Sequence, residues 1–113
     1  MINLTKNPTS EAINHRALKY RQTLSPNNNF TISELAQLPP YYGEVGIQDN
    51  LGYMYLGGSD CGTALRLLWN GKYEPSSIKV WEKLCKKANQ IYDLGAHTGV
   101  YTISAAIACL EYA

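Results

Sequence analysis

Long apolar runs are missing from this sequence. No stretch of about 18 or more apolar residues occurs, and the first thirty residues lack the basic-then-apolar pattern of an export signal. Nothing in the pattern marks a membrane span. Charge of one sign is missing too: 10 Lys and Arg stand against 9 Asp and Glu, and the formal net charge of +1 creates no field that would gather phosphate backbones or anionic lipid. Nucleic acid is therefore not an expected partner. Cysteine is sparse, with Cys61, Cys85 and Cys109 scattered and no CxxC pair, which supports neither a disulfide framework nor a zinc site. A reducing, cytoplasmic setting is expected, with no metal.

The 113 residues, 45% of them hydrophobic and 17% charged, suffice for one modest globular domain and exclude a disordered tail or a two-domain enzyme. The nine tyrosines are spread along the chain without forming an aromatic ladder over basic residues, so most are expected to pack. Composition shifts at Pro39-Pro40: all nine glycines and both tryptophans follow it, while six of the nine asparagines precede it. This divides the chain into a helical leader at 1–40, a hairpin with two helices at 41–89, and a strand-loop-helix unit at 90–113.

In the leader, Thr9 or Ser10 can cap a helix over roughly Glu11 to Leu24, ended by Pro26 and three asparagines. Thr31-Ile32-Ser33-Glu34 spells a capping box, in which hydroxyl and carboxylate satisfy each other's orphan amides, and the double proline stops the short helix behind it. Gly43 to Gln48 and Gly52 to Gly57, joined through Asp49-Asn50-Leu51-Gly52, read as a hairpin. Ser59-Asp60 can cap a helix running from Cys61 or Gly62 to Trp69 that stops at Gly71. A third helix starts at Pro75 and carries Ile78, Trp81, Leu84, Cys85 and Ala88 on one face, with Lys79, Glu82, Lys83, Lys86 and Lys87 on a solvated face opposite. Trp69 and Trp81 read as packing residues, and His15 as a solvated helix residue.

The sharpest signal lies near the end. Gln90 to Gly95 reads as a short apolar strand, and Thr98-Gly99 opens a helix in which only Thr102, Ser104 and Glu111 are polar. A helix apolar on almost every side needs cover on almost every side. Gly95 permits a tight turn out of the strand, and Gly99 removes a side chain where a ligand or the strand approaches the helix. The GxxxG spacing is not the GxGxxG of dinucleotide binders, and no GK[ST] follows, which weakens diphosphate-cradling readings. Asp93, ahead of the first glycine, would repel a pyrophosphate but suits a ligand with an ammonium and a sulfonium, as in S-adenosylmethionine. Asp93 can alternatively cap the following turn. His97 supports a backbone-binding reading and, as histidine commonly transfers protons in catalysis, a general-base reading.

The run Asp93-Leu94-Gly95-Ala96-His97-Thr98-Gly99-Val100-Tyr101-Thr102 closely resembles the first motif of class I S-adenosylmethionine-dependent methyltransferases of the FkbM family. Leu65 through Trp69-Asn70-Gly71-Lys72-Tyr73-Glu74-Pro75, with Trp81 and the segment from about Gln90, is similar to what precedes that motif, so the resemblance covers roughly residues 53 to 105. It implies an α/β chain that is the N-terminal part of a Rossmann-like methyltransferase fold, its helices and β-hairpin leading into the first strand and helix of a sheet left incomplete. It implies S-adenosylmethionine as cofactor and methyl transfer to a hydroxyl of a sugar or secondary metabolite. Asp93 would face the methionine ammonium, Gly95 and Ala96 would supply close backbone, and His97, Thr98 and Gly99 would complete the loop. Tyr73 and Glu74 would line the cofactor or substrate mouth, although Glu74 equally suits a helix-start charge. In such folds the ribose-binding acid lies about 20 residues past the glycine loop, at or beyond Ala113, so a front portion inactive alone is expected. The rival reading is a non-enzymatic interaction or dimerisation module that uses its apolar C-terminal helix. A binder of NAD or ATP is a third.

Overall fold

The computed structural model describes residues 9–25, 28–47, 51–97 and 99–112. The chain is mixed α/β: helices α1 (Ser10–Gln22) and α2 (Ile32–Leu35), strands β1 (Tyr41–Ile47) and β2 (Gly52–Gly58), then helices α3 (Gly62–Asn70), α4 (Pro75–Lys87) and α5 (Val100–Tyr112). The Thr9 hydroxyl accepts from the Ala12 amide to start α1. The capping box of α2 forms as its sequence implies, with the Glu34 amide donating to Thr31 Oγ1 at 3.3 Å and the Thr31 amide donating to Glu34 Oε1 at 3.1 Å.

The two strands pair antiparallel from Tyr41 opposite Gly58 to Ile47 opposite Gly52. Alternate side chains take opposite faces, so Val45, Ile47, Met54 and Leu56 are buried while Tyr42, Glu44, Tyr53 and Tyr55 face outward. The expected turn lies mainly at 48–50, outside the described residues. Tyr42, Tyr53 and Tyr55 on the outward face of the hairpin, Tyr20 on α1 and Tyr92 in the segment before α5 are exposed, which corrects the expectation that most tyrosines pack.

Helix α3 begins at Gly62, one of its two expected starts, but takes a different cap. Asp60 accepts from the Gly57 amide at 2.9 Å and closes the strand exit, so Cys61 becomes the cap, its sulfur 3.5 Å from the Ala64 amide. Gly71 ends the helix in the left-handed region at φ 75°, a geometry that favours glycine. Helix α4 begins at Pro75 as expected.

Residues on both sides of Pro39-Pro40 share one core, which gathers Ala17 of α1, Leu35 of α2, the inward faces of the hairpin, Leu65, Leu68 and Trp69 of α3, and Val100 and Ile107 of α5. Two asparagines clamp the leader in place. Asn14 accepts from the Tyr42 amide at 2.7 Å and donates to the Tyr42 carbonyl at 2.6 Å, while Asn70 does the same for Phe30 at 2.8 and 3.2 Å. A smaller cluster joins α4 to α5 through Cys85, Ala105 and Ala108, with Trp81 and Ile91 against it. Leu84, expected on the packed face of α4, is 60% exposed: α5 covers only the Ile78, Trp81 and Cys85 side. Among the described residues no helix is long and apolar enough to cross a membrane.

Candidate functional site

The segment from Ala88 to His97 carries chain from α4 to α5 without regular structure. The strand expected over Gln90 to Gly95 is not formed. A strand exists only when a neighbour takes its backbone hydrogen bonds, and among the described residues the hairpin is the sole sheet. The side chains nonetheless alternate: Ile91 and Asp93 turn inward while Tyr92 and Leu94 are 75% and 90% exposed.

The bend that follows is sharp. Gly95, His97 and Gly99 have φ values of 70°, 55° and 94°, three left-handed residues within five positions. A Cβ on Gly95 would meet nothing within 4 Å, and one on Gly99 would meet only Ile103, at 3.8 Å. The glycines are thus required by backbone conformation; the expected close approach of a strand at Gly99 is not observed. His97 adopts the same region without glycine's freedom, which costs about 1–2 kcal/mol. The Gly99 amide donates to the Ala96 carbonyl at 2.9 Å, and the Ile103 amide to the Gly99 carbonyl at 2.8 Å, the first bond of the α5 ladder. The amides of Val100, Tyr101 and Thr102 precede that ladder and form the positive end of the helix.

Asp93 sits beside this helix start. Its Oδ2 accepts from the Thr102 hydroxyl at 2.6 Å, which fixes the carboxylate across the mouth of the bend. Thr98 lies outside the described residues, so its expected part in the loop has no structural account here. His97 is exposed.

A second limb reaches the same turn of α5. Glu74 caps α4 with φ 41° and ψ 56°, makes no side-chain cap bond, and accepts instead from the Tyr101 hydroxyl at 3.1 Å. Burial, followed by that bond to Glu74, pushes the Tyr101 phenol up from its ordinary value. Tyr73, half-buried, lies beneath the Arg66 guanidinium at 5.8 Å from its ring centre. Next to it a pocket of about 380 Å³ is lined by Arg66, Asn70, Lys72, Tyr73, Glu74 and Pro75.

The structure therefore ties Glu74 and Asp93, some twenty residues apart in sequence, to the consecutive residues Tyr101 and Thr102 of one helical turn. Tyr101 and Thr102 make the junctions, and the sequence reading gave neither a role. Thr102 carries a legible signal, since it stands three residues after the helix-capping Gly99 where a polar side chain can serve the helix start; Tyr101 carries none.

The cysteines supply no rival chemistry. Cys61 is buried as a cap. Burial first, then the neighbouring Cys109 and Glu82, holds the Cys85 thiol above its ordinary pKa, which disfavours the thiolate. Cys109, near Cys85 at the α4–α5 contact, is exposed. Among the described residues no group of three or more His, Cys, Asp or Glu side chains could hold a metal ion.

Compared with protein-family models, curated proteins and solved structures, the chain matches none.

Proposed function

We propose that this chain carries the lead-in helix and the methionine-end cofactor loop of an S-adenosylmethionine-dependent O-methyltransferase acting on a hydroxyl of a sugar or secondary metabolite. The observation that carries the reading is the Asp93 carboxylate, fixed by Thr102 beside a bend with left-handed glycines at both ends. The donor set fits the cofactor's charges. An amino acid end with an ammonium next to a sulfonium is attracted by one carboxylate, and its own carboxylate by the amides at the α5 start. A diphosphate would meet the same Asp93 as repulsion.

When bound, the cofactor supplies an electrophilic methyl group. Asp93 orients the ammonium, Gly95 and Ala96 offer close backbone, and His97 contributes its backbone conformation. Glu74 and Tyr73 border the mouth, with Tyr101 holding the Glu74 carboxylate toward α5. The sequence resemblance and this geometry point the same way. Calorimetry of the chain against S-adenosylhomocysteine, NAD and ATP tests the reading: preference for S-adenosylhomocysteine supports it, and preference for either of the others overturns it.

A second reading has its own observation. On α5, Ala106, Cys109 and Leu110 are exposed, Leu110 at 77%, near in kind to the bare Leu94. This favours an interaction module that pairs through α5, and light scattering across a concentration series distinguishes it, since a monomer at all concentrations removes its support.

A further inference from the structure

Helix α4 carries two exposed ridges side by side. Ser76, Val80, Leu84 and Ala88 recur every four residues, and Lys79, Lys83 and Lys87 form the neighbouring four-residue row. All seven are exposed, Val80 and Leu84 at 59% and 60% despite their size. Lys83 is three residues from Val80, and Lys87 three from Leu84, so each large apolar side chain has a lysine as its helical neighbour.

The apolar ridge is one wall of a groove. A cleft of about 430 Å³ lies between Ser76, Ser77, Val80, Leu84 and the aromatic pair Trp81 and Tyr101. A second hollow of about 190 Å³ continues from Trp81 and Leu84 past Ala88 to Ile91 and Tyr92. The far wall is held by two contacts. Trp81 donates its indole N–H to the Tyr101 carbonyl at 2.8 Å, and the two rings meet edge to face at 5.5 Å and 86°. A groove already formed costs little ordering on binding.

We infer that this groove takes an acidic amphipathic helix of a partner protein, its apolar stripe on Val80, Leu84 and Trp81 and its carboxylates facing Lys83 and Lys87. Charge selects the occupant. The chain as a whole is nearly neutral at +1, so the row of three lysines is a local concentration and no reflection of a generally basic surface. The two carboxylates nearest on α4 do not cancel this charge: Glu74 accepts from Tyr101, and half-buried Glu82, three residues after Lys79 and four before Lys86, is one carboxylate among the four lysines of this face. A helix lying in a groove with apolar anchors at i, i+4 and i+7 is an established mode of recognition, and complementary rim charge sets its specificity. This inference uses neither Asp93 nor the glycine bend; Tyr101 alone is shared with the candidate cofactor site.

The test uses the whole chain and two fluorescent helical peptides with the same leucine stripe, one flanked by glutamates and one by lysines. Anisotropy is expected to give at least about tenfold tighter binding of the acidic peptide, weakened by salt. Leu84→Asp should abolish binding of both, and the double change Lys83→Glu, Lys87→Glu should reverse the preference. Because these side chains are exposed, circular dichroism of each variant should match the parent. Equal binding of the two peptides, an unchanged preference in the charge-swapped variant, or no binding of either peptide, whether or not phosphatidylserine vesicles bind, would overturn the proposal.

Discussion

Thr102 donates its hydroxyl hydrogen bond to the Asp93 carboxylate at 2.6 Å, and this bond ties the approach to the bend to the helix that leaves it. An aspartate so placed serves two purposes: it steadies the start of α5, where negative charge is favourable, and it presents a carboxylate at the mouth of the loop. Substitution separates them. Asp93→Asn keeps a hydrogen-bond acceptor for Thr102 and removes the charge, so it should lower affinity for S-adenosylhomocysteine about tenfold or more while melting close to the parent. Thr102→Val should reduce affinity less. Calorimetry paired with thermal unfolding reads both.

Glycine substitutions should rank by cause. At Gly95 only the left-handed backbone opposes alanine, a cost of about 1–2 kcal/mol. At Gly52 the obstacle is steric, because an added Cβ would lie 2.6 Å from Ile103 Cγ2 and 3.0 Å from Ile107 Cδ1, where α5 crosses β2. Gly52→Ala should cost about 1–3 kcal/mol by overpacking and loosen α5 from the hairpin. Denaturant melts measure the loss, and hydrogen exchange along α5 should rise in Gly52→Ala alone.

The Asn14 and Asn70 clamps should carry stability out of proportion to their exposure. Asn70→Ala leaves the Phe30 amide and carbonyl without their partner and should cost about 1–3 kcal/mol. Asn70→Asp, which keeps the acceptor for the Phe30 amide and loses the donor, should fall between. Urea unfolding compares them.

Tyr101 gives the chain an alkaline limit. Its phenol is favoured in the neutral form by burial and then by the bond to Glu74, so its folded pKa is above the unfolded value of about 10. The stability contributed by the neutral phenol is fully present below that unfolded value and is lost as pH rises through the folded one. Thermal unfolding between about pH 9 and about pH 11 should therefore decline more steeply in the parent than in Tyr101→Phe. Identical slopes would show that the Tyr101 phenol is not held above its ordinary value.

Much of this architecture is legible in the sequence wherever the rule is local. The Thr31–Glu34 box, Pro75 at a helix start, Gly71 at a helix end and the alternation of the hairpin each depend on neighbours a few residues away. The cap of α3 misleads because the Asp60 carboxylate is taken by the Gly57 amide, which leaves Cys61 as the cap. The segment from Gln90 to Gly95 has strand composition, but composition cannot supply the partner that a strand requires. The candidate site is legible as two separate pieces, one at Tyr73-Glu74 and one at Asp93–Gly99. Their convergence on Tyr101 and Thr102 follows from the packing of α4 on α5, a relationship no local pattern encodes.

The most direct measurement is a titration of S-adenosylhomocysteine into the isotope-labelled chain, followed by amide resonances. The proposed site predicts saturable shifts concentrated at Asp93 to Gly99 and at Tyr101 and Thr102, absent in Asp93→Asn. Shifts centred elsewhere, such as the hollow beside Arg16, Lys19 and Tyr20, or no shifts at all, would contradict it.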